Sequence, residues 1–89
     1  MLTKDVEITN KKGLHARAAS KLVQLAAKYQ SKVQLSRDGQ VSDGKSILGV
    51  LILAANQGSM MTIITDGEDE QEAMDVLCEL IERKFDEGE

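Results

Sequence analysis

The residue type best suited to carrying a transferred chemical group occurs once in this 89-residue sequence, as His15. The loop Asn10-Lys11-Lys12-Gly13 precedes it, and a helical periodicity begins at Ala16. Ser, Thr, Asp or Asn would cap such a helix better than histidine does. Departures of this kind from local preference are more common at functional sites than elsewhere. Spacing alone, however, favours an ordinary surface histidine.

A phosphoryl group is the adduct that this position would suit. The first backbone N–H groups of a helix lack intrahelical partners, so those of Ala16 and Arg17 could donate to phosphate oxygens. The forked guanidinium of Arg17 adds donors that match phosphate. The positive helix end should also keep the His15 ring neutral and nucleophilic near neutral pH. Helix termini stabilise exposed anions by only about 0.3–1 kcal/mol, which would hold a phosphate without trapping it.

Composition excludes several other functions. The net charge of −4 opposes nucleic-acid binding, and two aromatic residues, Tyr29 and Phe85, cannot form a base-stacking platform. The single cysteine, Cys78, rules out an internal disulfide and a zinc site of paired cysteines. The acidic run 68–72 lacks the spacing of a calcium loop. We therefore expect no metal and no organic cofactor.

The N-terminal residues and the hydropathy pattern indicate where in the cell the protein is expected to be. Neither a signal peptide nor an apolar run of about 18 residues is apparent, so we expect a cytoplasmic protein without a membrane partner. The length suits one domain spanning residues 1–89.

The periodicities predict seven elements in the order β-α-β-β-α-β-α. In chain order these are a strand around Val6, a helix from Ala16 whose apolar stripe extends to Tyr29, two strands joined by an Asp38-Gly39 hairpin turn, a short helix within 47–55, a strand over 60–65 and a last helix after Glu68. The strands are too amphipathic to be buried on both faces. We predict an α+β open-faced sandwich, in which three helices cover one face of a four-stranded antiparallel sheet.

The segment Gly13-Leu14-His15-Ala16-Arg17 resembles the active-site motif of the HPr family. These proteins are the histidine-containing phosphocarriers of the bacterial phosphoenolpyruvate-dependent phosphotransferase system. Further similarity lies in residues 6–10, 45–50, 62–63 and 66–70, so the resemblance covers essentially the whole chain.

The resemblance implies a carrier that is modified during transfer and is not itself an enzyme. Enzyme I would phosphorylate His15 on Nδ1, Arg17 would steady the phosphate, and an enzyme IIA would receive it. We expect the carrier to be a monomer. Ala18 departs from the proline that commonly follows the arginine in the family, which predicts a less rigid site that still functions.

Ser46 precedes the short apolar helix and has the residue type of an N-cap. The segment Ser46-Ile47-Leu48-Gly49-Val50 also resembles a form of the family in which an ATP-dependent HPr kinase/phosphorylase modifies the serine. A phosphoserine would add negative charge at a helix start and oppose an acidic partner. Capping and regulation are compatible.

The short apolar helix carries more apolar residues than one core-facing side can bury. We predict that Val50 and Leu53 point inward. The remaining residues would form a docking patch together with part of the first helix, comprising Ile47, Leu48, Leu51, Ser20, Lys21 and Gln24. Burial of the entire apolar run is the alternative.

Two other functions fit parts of the pattern. The element order also suits a ligand-binding regulatory module of ferredoxin-like fold, although that function gives no reason for His15 and Arg17 to flank a helix start. An enzyme using His15 as a general base would need an orienting carboxylate, and none is near it in the sequence.

Overall fold

The computed structural model describes residues 1–87 and contains the predicted elements in the predicted order. The strands are β1 (Leu2–Glu7), β2 (Lys32–Arg37), β3 (Gln40–Asp43) and β4 (Met60–Asp66). The helices are α1 (Ala16–Ala26), α2 (Ile47–Ile52) and α3 (Glu70–Glu82), and α3 is followed by a short turn at Lys84–Asp86. The α+β class is confirmed. Tyr29 was wrongly assigned to the first helix, because α1 ends at Ala26.

The four strands form one antiparallel sheet in the order β1-β4-β2-β3. Alternate residues of the two central strands are buried, and the residues between them are half-buried or exposed. Ile63 pairs with Leu35 in register, and both are completely buried. One face of the sheet therefore carries the core, as predicted for an open-faced sandwich.

The hairpin between β2 and β3 turns at Asp38 and Gly39, which have φ values of 51° and 84°. A two-residue turn with both residues left-handed matches the twist of the strands that it joins. The Asp-Gly prediction is confirmed.

The core joins the inner face of the sheet to α1 and α3. Ala18, Leu22, Leu77 and Phe85 are all completely buried. Phe85 lies beyond the end of α3, so its burial fixes the path of the chain after that helix. Within residues 1–87, no helix has the length and apolar character needed to cross a membrane.

Candidate functional site

The loop before α1 is fixed against the segment that follows α2. Gly13 has a φ of +64°, and a Cβ on it would lie 2.4 Å from the carbonyl oxygen of Ala55. The Leu14 N–H donates to that same carbonyl at 2.8 Å. The Asn10 amide donates to the Gly13 carbonyl at 2.8 Å. Only glycine fits this close approach, which sets the direction in which the chain enters α1.

His15 is the N-cap residue of α1 and has an extended backbone, with φ −80° and ψ 178°. Its side chain does not cap the helix, and its carbonyl accepts the first intrahelical bond, from the Ala19 N–H at 2.8 Å. The N–H groups of Ala16, Arg17 and Ala18 have no acceptor among residues 1–87. The helix start thus presents three free donors beside the imidazole, and proline at position 18 would remove one of them.

The imidazole contacts a carboxylate from the far end of the chain. His15 Nε2 lies 2.5 Å from Oε2 of Glu87, and the Asn10 amide donates to the other carboxylate oxygen at 3.0 Å. The side chains of His15 and Glu87 are 26% and 14% exposed. The orienting carboxylate that the sequence did not reveal near His15 is therefore present. No local motif marks Glu87, since the two residues are 72 positions apart.

Glu87 is ionised in this contact. Partial burial alone would raise the pKa of its carboxyl, but hydrogen bonds from Asn10 and His15 outweigh burial and hold the pKa below its ordinary value. The carboxylate therefore acts as a hydrogen-bond acceptor at neutral pH.

A left-handed turn brings Glu87 to the histidine. Lys84, Phe85 and Asp86 have φ values of 56°, 56° and 61°. This backbone conformation costs roughly 1–2 kcal/mol for each residue other than glycine, so tertiary contacts must stabilise the turn. Burial of Phe85 and a 2.6 Å hydrogen bond from the Lys21 ammonium to the Phe85 carbonyl supply those contacts.

Arg17 lies exposed on the first turn of α1 and makes no hydrogen bond or ion pair within the described part of the chain. It lines a shallow open cavity of about 320 Å³ next to Glu87. Lys12, Lys21 and Asp86 complete the lining. Three cationic side chains thus face one cavity, and the Arg17 guanidinium is available to an anion.

The predicted inner side of α2 is confirmed, because Val50 and Leu53 are buried. On the outer side, Ile47 is 44% and Leu48 78% exposed. The alternative that the entire run is buried is wrong.

The outer side of α2 differs from the prediction at two residues. Leu51 is half-buried and packs partly on the core. Ile52, which was not predicted to belong to the patch, is 61% exposed. A helix of six residues has fewer than two turns, so its apolar pattern defines the exposed side poorly.

The three residues predicted for the patch on α1 differ in their contacts. Gln24 is exposed and donates to the half-buried Ser20 hydroxyl at 3.1 Å. Lys21 is half-buried, and its bond to the Phe85 carbonyl ties it to the C-terminal turn. The helices α1 and α2 pack against each other. The α1 residues of the predicted patch therefore lie on the helix next to the α2 residues.

Ser46 caps α2 as predicted. Its hydroxyl oxygen accepts a hydrogen bond from the Gly49 N–H at 3.2 Å, and the residue is half-buried. Cys78 is buried within α3, and burial raises the pKa of its thiol, which disfavours the reactive thiolate. Among the described residues, no group of histidine, cysteine and acidic side chains is arranged to hold a metal ion.

A family model described as "PTS HPr component phosphorylation site" matches residues 2–83. The phosphocarrier protein HPr of Cupriavidus necator is 57% identical over 89 residues, which is the full length of both chains. The chain belongs to the HPr family of phosphocarriers. It therefore has a phosphotransfer role, as a carrier and not as an enzyme.

Solved structures of the family show the same fold. HPr-C-His from Thermoanaerobacter tengcongensis superposes with a TM-score of 0.95 at 41% identity, covering 98% of each chain. An HPr dimer from the same organism gives a TM-score of 0.77 at 42% identity, covering 90% of this chain and 92% of that one. The partners of an HPr protein belong to the phosphotransferase system, and none of these matches supports a ferredoxin-like regulatory module.

Proposed function

We propose that His15 carries the phosphoryl group on Nδ1, receiving it from phosphorylated enzyme I and passing it to an enzyme IIA. The contact of Nε2 with Glu87 carries this proposal, because it leaves Nδ1 as the ring nitrogen without a partner among residues 1–87. Among residues 1–87, neither Arg17 nor the first N–H groups of α1 have a partner, so they are donors available to the phosphate.

The test is a phosphorylation assay with enzyme I and phosphoenolpyruvate, read by intact mass. We expect one acid-labile phosphoryl group on the wild-type chain and none on His15→Ala. Arg17→Ala should be phosphorylated more slowly, because it retains the nucleophile and loses the guanidinium. A wild-type level of acid-labile phosphate on His15→Ala would refute the proposal.

The outer side of α2 is the proposed docking surface for both partner proteins. Ile47, Leu48 and Ile52 expose large apolar side chains there, and Ser20, Lys21 and Gln24 lie on the neighbouring helix α1. Leu51 contributes only the part of its side chain that the core leaves uncovered. Exposed apolar side chains grouped on a small domain are typical of a protein-binding site.

Ser46 is the proposed site of a second, regulatory phosphorylation by an HPr kinase/phosphorylase. The serine is half-buried as the cap of α2, so a kinase would have to release its hydroxyl from the Gly49 N–H. The phosphate would then lie beside the docking surface and repel an acidic partner. An acid-stable, ATP-dependent phosphate that is absent from Ser46→Ala is the expected result.

Residues 1–89 are proposed to act as one cytoplasmic domain and as a monomer. In support of one domain, the buried apolar residues of the described chain form a single cluster. Light scattering across a concentration series should give the mass of one chain. A concentration-dependent dimer would contradict the monomer.

A further inference from the structure

The contacts that hold Glu87 in place do not depend on the histidine. Phe85 is completely buried, and the Lys21 ammonium donates to its carbonyl at 2.6 Å. Asn10, itself completely buried, donates to Oε1 of Glu87 at 3.0 Å. The second carboxylate oxygen is thereby directed to the imidazole, and the side chain of Glu87 is only 14% exposed. The carboxylate is preorganised before any phosphoryl group arrives.

The contact also determines where the imidazole proton lies. An ionised carboxylate can only accept a hydrogen bond, so His15 Nε2 must be the donor. A neutral imidazole has one N–H group, and Nδ1 therefore keeps its lone pair.

We propose that Glu87 is a positioning residue for phosphoryl transfer. Its carboxylate, oriented by Asn10, fixes the His15 proton on Nε2 and thereby keeps the Nδ1 lone pair available to attack the phosphoryl group. This inference rests on the proposed function of His15.

The transfer step then needs no general base. The Nδ1 lone pair forms the new N–P bond while the bond between phosphorus and the donor atom of enzyme I breaks. The electron pair of the broken bond remains on the donor atom of enzyme I. The imidazole proton stays on Nε2 throughout, so the ring acquires a formal positive charge. A carboxylate 2.5 Å from Nε2 stabilises that charge. Glu87 should therefore favour the phosphorylated carrier over the free one.

The experiment compares Glu87→Ala and Glu87→Gln with the wild-type chain, using nitrogen NMR of the imidazole and the equilibrium constant for phosphoryl transfer from enzyme I. In Glu87→Ala we expect more of the Nδ1–H tautomer, faster exchange of the Nε2 proton and an equilibrium constant lower by about tenfold. Glu87→Gln should lie between the two, because its amide oxygen still accepts a hydrogen bond but carries no charge.

Glu82→Ala is the matched control, since Glu82 is an exposed glutamate at the end of α3 that lies beside residues of β1. It should leave both measurements at the wild-type values. A Glu87→Ala chain with the wild-type tautomer and equilibrium would overturn the inference, even if its unfolding temperature fell. Loss of phosphorylation in His15→Ala alongside such a result would leave the proposed function intact and remove only the role of Glu87.

Discussion

Glu87 Oε2 and His15 Nε2 are 2.5 Å apart, although 72 positions separate the two residues in the chain. The contact closes the C-terminal turn onto the start of α1. It joins the start of α1, where His15 lies, to the segment that follows α3, so the position of Glu87 beside the imidazole depends on the path of the chain after that helix.

Acid should weaken the fold partly through Asp69. Its carboxylate accepts hydrogen bonds from the Ser31 hydroxyl and from the N–H groups of Gln30 and Ser31, and these hold its pKa below the ordinary value. The contribution to stability is complete above the unfolded-state pKa, near 4 for aspartate, and is lost as pH falls through the lower folded-state pKa.

Urea unfolding of wild type and Asp69→Asn from neutral pH to about pH 2.5 measures this effect. The stability difference between the two chains should be largest at neutral pH and shrink below about pH 4. A difference that does not change with pH would show that ionised Asp69 contributes nothing.

Ala18→Pro should stabilise the chain. The Ala18 N–H has no acceptor among residues 1–87, so proline breaks no hydrogen bond there and reduces the freedom of the unfolded chain. We expect a gain of about 0.4–1 kcal/mol in the free energy of unfolding.

Ala19→Pro is the control for that substitution. Ala19 is equally buried, but its N–H donates to the His15 carbonyl at 2.8 Å, so proline removes a bond and should destabilise the chain. Thermal unfolding of both variants tests the pair. Destabilisation by both would show that the start of α1 cannot accommodate the proline ring at Ala18.

Ala54→Gly should also stabilise the fold. Ala54 is exposed just after α2 and has a φ of 50°, a left-handed conformation that disfavours a Cβ. The expected gain is about 0.5–1 kcal/mol after the extra entropy of glycine in the unfolded chain is subtracted. Ala27→Gly provides the contrast, because Ala27 is exposed with a φ of −66° and should lose stability. Equal effects at both positions would contradict this account.

Leu48→Glu should slow phosphoryl transfer to and from partner proteins and leave the fold intact. Leu48 is 78% exposed, so the substitution removes apolar area from the proposed docking surface without opening the core. We expect the KM of enzyme I for the carrier to rise about tenfold, which is typical of losing one apolar contact at the centre of an interface. Met60→Glu makes a similar change at a 57% exposed residue of β4 and should not alter KM. A wild-type KM for Leu48→Glu would show that Leu48 does not belong to the docking surface.

The element order was predictable because each element carries its own periodicity. The alternation around Val6, the helical stripe from Ala16 and the Asp38-Gly39 turn are local signals, and each matches the fold. The position of His15 at a helix start, where it is a poor cap, is also a local feature, but the resemblance of residues 13–17 to the family motif was needed to predict its role.

Glu87 could not be identified in this way. Its contact with His15 depends on burial of Phe85 and on a left-handed turn of three residues that are not glycine. Tertiary packing holds that turn against local preference, so the sequence near Glu87 does not indicate it. The exposure of Ile52 was not predicted because α2 has only six residues. In so short a helix, the apolar pattern does not show which of Leu51 and Ile52 faces the core.

The close approach of Gly13 to the Ala55 carbonyl has a consequence for the order of events in the relay. It fixes the loop that leads to His15 against the segment that follows α2, so the imidazole and the proposed docking surface on that helix are held together. If the phosphoryl donor and the acceptor both bind this surface, as proposed, they cannot bind it at the same time. On that proposal the carrier dissociates from one protein before it binds the next, and an excess of either protein inhibits binding of the other.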